Sequence, residues 1–143
     1  MRNAIGIVLA TLLFGAGALA DQKETAERRE RLNPKIGRAD RQKYRSIRDG
    51  NGWANPALVI RANGIEVIAK GLPSGRIVAP SELRRTLVNL PVNAWPYGRV
   101  VSAQNIGIRL SDQSDEEPIR QNREAAETVL KELDVDVDWV PSA

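Results

Sequence analysis

The sequence predicts an α+β fold in which a small mixed sheet of about four strands carries two helices packed on one face. Two runs of β-branched residues flank an Asn-Gly pair, two stretches with apolar residues at helical spacing begin near a proline, and a strictly alternating segment follows the second stretch. In order, these elements read β-β-(β)-α-β-α-β over residues 53–143, where we expect a single domain. Aromatic residues make up only 4% of the chain, so its core must consist mainly of Val, Ile, Leu and Ala.

The first two strands are the clearest local prediction. Residues 57–62 and 65–69 are separated only by Asn63-Gly64, a pair that favours a type I′ turn because both turn positions need positive φ. A short extended piece follows at residues 76–78. Alternate side chains of a strand share a face, so six apolar side chains are expected on one side of the hairpin: Leu58, Ile60, Ala62, Ile65, Val67 and Ala69.

Proline starts and apolar spacing predict the two helices. Either Ser81 caps the first helix or Pro80 occupies its first position. Its buried stripe is expected to contain Leu83, Leu87 and Leu90, which leaves Arg84 and Arg85 exposed. The second helix is predicted over residues 118–133, after an acidic cluster that suits a helix N-terminus.

Two further strands are predicted on either side of the second helix. Residues 99–103 form one, which is extended or restarted over residues 106–110. The segment 134–140 alternates strictly between Asp and apolar residues, which is typical of a half-buried strand. Its expected inward side chains are Val135, Val137 and Trp139, and its three Asp side chains should face solvent.

The beginning of the chain predicts export. Arg2 precedes an uncharged apolar run over residues 4–20 that ends in Ala18-Leu19-Ala20, the pattern of a signal peptide cleaved after Ala20. A membrane anchor is the alternative, but three glycines interrupt the run and it is shorter than the roughly 20 residues that a spanning helix needs. We therefore expect a periplasmic or secreted mature protein without stable membrane insertion after cleavage.

Residues 21–52 predict a charged tether or loosely docked arm. Only four sizeable apolar residues occur in this stretch, too few to build a core. One short exposed helix is expected within residues 24–31 from interleaved Glu and Arg, and Asn33-Pro34 would stop it. Asp40 is expected to cap a second helix that runs to Arg48.

The absence of Cys and His from the sequence excludes the most familiar chemistry. Ser-His-Asp triads, thiolate nucleophiles, disulfides and His- or Cys-bound metals all require one of these residues. The carboxylates of Asp134, Asp136 and Asp138 would lie roughly 6 to 7 Å apart along an extended strand, too far to share one ion. We expect no enzyme, no catalytic residues, no cofactor and no metal site.

Charge and aromatic residues indicate candidate contact surfaces. Residues 112–143 contain ten acidic and three basic residues, whereas the preceding part of the mature chain is basic, a division that suits an anionic polymer as partner but also an ordinary solvated surface. Export argues against nucleic acid. Trp95, Tyr97 and Arg99 lie in or beside a Pro/Gly loop and are candidate contact residues, together with Arg84 and Arg85. The alternative for Trp95 is that it covers the core beneath the loop.

The order of elements resembles the periplasmic domain of the biopolymer-transport ExbD/TolR family. The shared features are a strand, a turn ending in Gly64, a second strand, a short extended piece, and a helix that begins Ser81-Glu82-Leu83. Members of that family keep a membrane helix bearing an acidic residue for proton-driven work, and residues 1–20 contain no acidic residue. The resemblance thus implies a small exported domain that pairs with itself or with other envelope proteins, without energy transduction.

These observations predict an exported, non-enzymatic domain that acts through protein–protein contact in the cell envelope or outside the cell. Its expected partner is an envelope or extracellular protein, a second copy of the chain included. The alternative is a binding module for an anionic glycan or cell-wall polymer that uses the Trp95 loop and the three nearby arginines.

Overall fold

The computed structural model describes residues 31–47, 50–106 and 113–141. In these ranges, no helix is long and apolar enough to cross a membrane. Short 3₁₀ turns lie at Gly50–Gly52, Val92–Ala94 and Gln113–Asp115. The helices and strands are α1 (Arg41–Tyr44), β1 (Ala57–Arg61), β2 (Gly64–Ile68), β3 (Ile77–Val78), α2 (Pro80–Val88), β4 (Val100–Asn105), α3 (Glu116–Glu132) and β5 (Asp136–Trp139).

The strands form one mixed sheet in the order β3-β2-β1-β4-β5. The pairs β1–β2 and β2–β3 are antiparallel, and β1–β4 and β4–β5 are parallel. Parallel neighbours need a crossover connection, which α3 supplies between β4 and β5. The predicted α+β class is confirmed, with five strands in place of about four.

Both longer helices pack on one face of the sheet and close a single core. The core is formed by alternate strand side chains and by the apolar stripes of α2 and α3, as the spacing predicted. Its most deeply buried members include Leu58, Ile60, Ile65, Val67, Leu83, Leu87, Val101 and Leu130. The opposite face, on which neither α2 nor α3 packs, carries Ile68 and Ile77, which are 51% and 42% exposed.

The hairpin is present, but its turn differs from the prediction. Arg61 pairs with Gly64, so the two loop residues are Ala62 and Asn63, and Asn63-Gly64 is not the turn pair. Gly64 lies within β2 at φ 146°, and a Cβ there would approach the Val78 carbonyl oxygen to 2.7 Å. Glycine is therefore required because β3 passes close to the backbone. The pairing register shifts by two residues, so that Ile65 pairs with Ile60 and not with Ala62, and an even shift leaves the predicted faces unchanged.

The ends of α2 and α3 show how each helix begins and how α3 ends. Pro80 is the first residue of α2, and Ala79 precedes it without a side-chain cap, so the proline start is correct and Ser81 does not cap. Helix α3 begins at Glu116, two residues before Pro118. It ends in a Schellman motif, in which the Val135 N–H donates to the Leu130 carbonyl at 2.8 Å. The left-handed position belongs to Asp134 at φ 57°.

The compact unit begins at Leu32, well before the predicted boundary at residue 53. Ile36 and Tyr44 are buried, so a few apolar residues of the predicted arm complete a core built elsewhere. Asp40 caps α1 through a bond from the Gln42 N–H at 3.1 Å, as predicted, but the helix ends at Tyr44. The signal peptide, residues 24–30 of the first predicted arm helix, Arg48 and residues 107–110 of the predicted strand extension lie outside the described residues.

Candidate functional site

The loop at residues 95–99 is held against the segment at residues 33–47 by backbone contacts. The Asp40 N–H donates to the Tyr97 carbonyl and the Arg99 N–H to the Gly37 carbonyl, both at 2.9 Å. At the crossing point Gly98 has φ 81°, and a Cβ there would lie 2.1 Å from the Arg38 carbonyl oxygen. Only glycine fits this crossing without displacement of the backbone.

Asn55 fixes the same loop from the other side. Its side chain is buried, with its Nδ2 donating to the carbonyls of Gly98 and Val100 and its Oδ1 accepting from the Tyr97 N–H, each at 2.8 Å. In the β1–β4 ladder the Val100 carbonyl lies opposite Pro56, which has no N–H to donate. The Asn55 amide takes the place of that missing ladder bond.

Tyr44, Trp53 and Tyr97 form an aromatic cluster. It joins α1, the linker between α1 and β1, and the loop at residues 95–99. Its ring centroids are 5.2 to 5.9 Å apart, and Trp53 meets each tyrosine edge to face. The Tyr97 hydroxyl donates to the Gly52 carbonyl at 3.1 Å and accepts from the Ala54 N–H at 3.2 Å. The contacts of this predicted site residue are therefore internal to the domain.

Trp95 lies in the core, where only 4% of its surface is exposed. It belongs to the cluster of buried side chains that forms the hydrophobic core. This position corresponds to the alternative role considered for Trp95, in which the indole covers the core beneath the loop.

Two of the three predicted contact arginines are paired near the end of α3. Arg99 Nη1 lies 3.0 Å from Asp134 Oδ2, and Arg84 is paired with Glu132. Cations near a helix C-terminus are favoured by the helix dipole. Arg84 is half-buried, in contrast to the predicted exposure, and Arg85 is exposed. Arg84 and Arg99 thus come together through α3, while Trp95 does not share a surface with them.

Two charged residues in the first turns of α3, Glu117 and Arg120, have shifted pKa values. Arg120 donates to both carboxylate oxygens of Glu117 and also pairs with Glu124. The hydrogen bond from Arg120 lowers the pKa of Glu117, and the same contact raises the pKa of Arg120. Both groups are exposed, so this ion pair lies on the solvent-facing surface of the helix. Among the described residues, no group of three or more carboxylates is arranged to hold a metal ion.

Sequence reasoning missed a shallow groove between α3 and the edge strand β5. Helix residues form one side of it and β5 with its preceding turn forms the other. The lining residues are Glu127, Leu130, Lys131, Asp134, Val135, Asp136 and Val137. Beside it, the Arg123 guanidinium lies 4.0 Å from the centre of a Trp139 ring. The alternating Asp pattern marked the strand, but its place at a sheet edge beside α3 depends on the topology.

Comparison with protein-family models, curated proteins and solved structures finds no match to this chain.

Proposed function

We propose that the mature chain is an exported, non-enzymatic domain that acts through contact with an envelope or extracellular protein. The observation that carries this proposal is the β5 edge: in the described sheet, β5 has a strand neighbour on one side only, and Asp136 and Asp138 remain exposed. An edge with free backbone groups is a ready surface for another chain. The leader-like residues 1–20 support a location where such a partner is an envelope or extracellular protein.

Protein contact is a stronger proposal than binding of an anionic glycan or cell-wall polymer. The glycan alternative depends on an accessible Trp95 and on free guanidinium groups. Burial of Trp95 and the pairing of Arg84 and Arg99 with carboxylates make those groups poor anchors. The resemblance to ExbD/TolR periplasmic domains also favours a protein partner, a second copy included.

Export and capture in the producing cell test the proposal. The expected exported protein begins at Asp21, which N-terminal sequencing of the periplasmic or extracellular fraction would establish. The tagged mature chain should then retain a defined protein from envelope or medium at moderate salt. Retention of polymer alone, released by salt, would favour the glycan alternative. Retention of nothing, or an intact residue 1–20 segment in the cytoplasm, would contradict the proposal.

A further inference from the structure

The backbone of β5 is arranged to accept another strand. The Asp136 N–H donates to the Arg99 carbonyl and the Val140 N–H to the Ala103 carbonyl, so these residues face β4. In a parallel ladder, alternate residues bond to the same neighbour. The amide and carbonyl groups of Val137 and Trp139 therefore point away from β4, toward the free edge.

The groove beside this edge has an apolar floor and an acidic rim. Leu130 and Val135 are buried, and Val137 is half-buried. The charged lining residues are Glu127 and Lys131 on α3 and Asp134 and Asp136 at β5. Glu127 pairs with Arg123 and Asp134 with Arg99, which leaves Asp136 as the lining carboxylate without an ion pair among the described residues. Asp138 lies one pleat further along the same strand and is also exposed.

We propose that an extended, cationic segment of a partner protein adds to β5 as a sixth strand; this deepens the proposed function and depends on it. Side chains of an added strand alternate between the two faces of the sheet. On the helix side they would enter the groove over Val137, where apolar residues fit and a basic residue would share Glu127 with Arg123. On the opposite side they lie next to Asp136 and Asp138, where Lys or Arg forms cross-strand pairs.

The same aspartates explain why this edge selects its partner. Carboxylates on an edge strand disfavour pairing with acidic or purely apolar strands, because the charge must then be desolvated without a counter-ion. A second β5 would bring Asp against Asp. At the other edge of the sheet, β3 has only two residues, Ile77 and Val78, which limits the ladder that it can offer. The charge pattern therefore favours a basic strand at β5.

A direct test measures binding of a synthetic peptide, acetyl-Lys-Val-Lys-Val-Lys-Val-amide (the Lys-Val peptide), to the full mature chain. The control is the peptide in which Glu replaces each Lys (the Glu-Val peptide). We expect saturable binding of the Lys-Val peptide, with the largest amide chemical-shift changes and new exchange protection at Val137 and Trp139. The affinity should fall when salt is raised to about 0.15 M. Equal binding of both peptides, or shifts confined to another surface, would overturn the proposal.

Two variants separate strand addition from charge attraction. Val137→Pro removes an N–H that faces away from β4, so the sheet should form while peptide binding is lost; a folded variant that binds normally would overturn strand addition. Glu127→Lys should weaken binding about fivefold to tenfold at low salt. Its matched control is Glu124→Lys, because both glutamates pair with an arginine four residues earlier but only Glu127 lines the groove; equal effects would overturn the assigned site.

Sedimentation of the mature chain without peptide tests the choice of occupant. We expect a monomer over the concentrations used for the titration. A dimer that Val137→Pro abolishes would make a second copy the occupant and overturn the cationic partner. Because these measurements use purified protein, failure here combined with specific capture from the envelope would reject this edge as the site and leave the proposed function intact.

Discussion

Replacement of Asn55 gives the sharpest test of how the domain is held together. Its side chain is 3% exposed and satisfies three backbone groups at 2.8 Å. The Gly98 carbonyl keeps a second bond from the Val100 N–H, but Asn55→Ala removes the side-chain partner of the Tyr97 N–H and of the Val100 carbonyl. A buried polar group left unsatisfied costs about 1–3 kcal/mol, so we expect a loss of about 3 kcal/mol in the free energy of unfolding.

Urea and thermal unfolding, followed by tryptophan fluorescence and circular dichroism, measure this loss. A change of about 3 kcal/mol corresponds to a decrease of roughly 10–20 °C in Tm. Asn55→Asp should be worse than Asn55→Ala, because it turns a carboxylate oxygen toward two carbonyl oxygens in a buried site. Asn89→Ala, at an exposed residue after α2, is the control and should change stability by less than about 0.5 kcal/mol. A cost below about 1 kcal/mol for Asn55→Ala, or an aspartate as stable as asparagine, would refute the reasoning.

Three further predictions concern particular backbone and charge positions. Gly98→Ala should cost about 3 kcal/mol and expose residues 33–47 to protease, whereas Gly75→Ala, with positive φ but nothing within 4 Å, should cost about 1 kcal/mol; equal costs would argue against the close crossing. Asp134→Gly should have a free energy of unfolding about 1 kcal/mol higher than that of Asp134→Ala, and so a higher urea midpoint, because glycine adopts φ 57° with less strain than alanine; the reverse order would contradict this. Glu117 has a pKa below its ordinary value of 4.5, so its pairing with Arg120 stabilises the fold above that pH and is lost as pH falls through the lower folded-state pKa. Glu117→Gln should reduce the decline of the urea midpoint between about pH 6 and about pH 3, and an unchanged decline would show that the contact does not form in solution.

The strand faces and helix stripes could be predicted because they depend on local periodicity. Leu58 and Ile60 lie on the core side as alternation requires, and Leu83 and Leu87 as helical spacing requires. The predicted turn between β1 and β2 is one residue out of place because the need for Gly64 comes from the neighbouring strand β3, whose pairing with β2 is not visible in the local pattern.

The docked segment at residues 33–47 could not be predicted for a similar reason. Composition predicted that the stretch is too poor in apolar residues to build a core of its own, but Ile36 and Tyr44 are buried as members of the core of this domain. The bonds that hold the segment join backbone groups of Gly37 and Asp40 to the 97–99 loop, and backbone groups leave no signature in composition. Tyr97 and Arg99 were singled out as contact residues, and their observed contacts are with Gly52, Ala54 and Asp134 of the same chain.

The edge position of β5 shows the limit of sequence reasoning about the candidate site. The alternating Asp residues identified a strand with one charged face. Which strands are neighbours depends on the crossover through α3, and the groove exists only because that helix lies beside β5. The strand was therefore predictable from the sequence, whereas its place in a candidate site was not.

Photo-crosslinking in the producing cell tests the central claim, that the β5 edge contacts another protein after export, most directly. A photoreactive residue placed at Asp138, on the β5 edge, is compared with one at Glu124, which is similarly exposed on α3. The account predicts a discrete adduct with an envelope or extracellular protein from position 138 and none from position 124. Irradiation that yields no protein adduct from position 138 in correctly exported chain, or the same adducts from both positions, would contradict it.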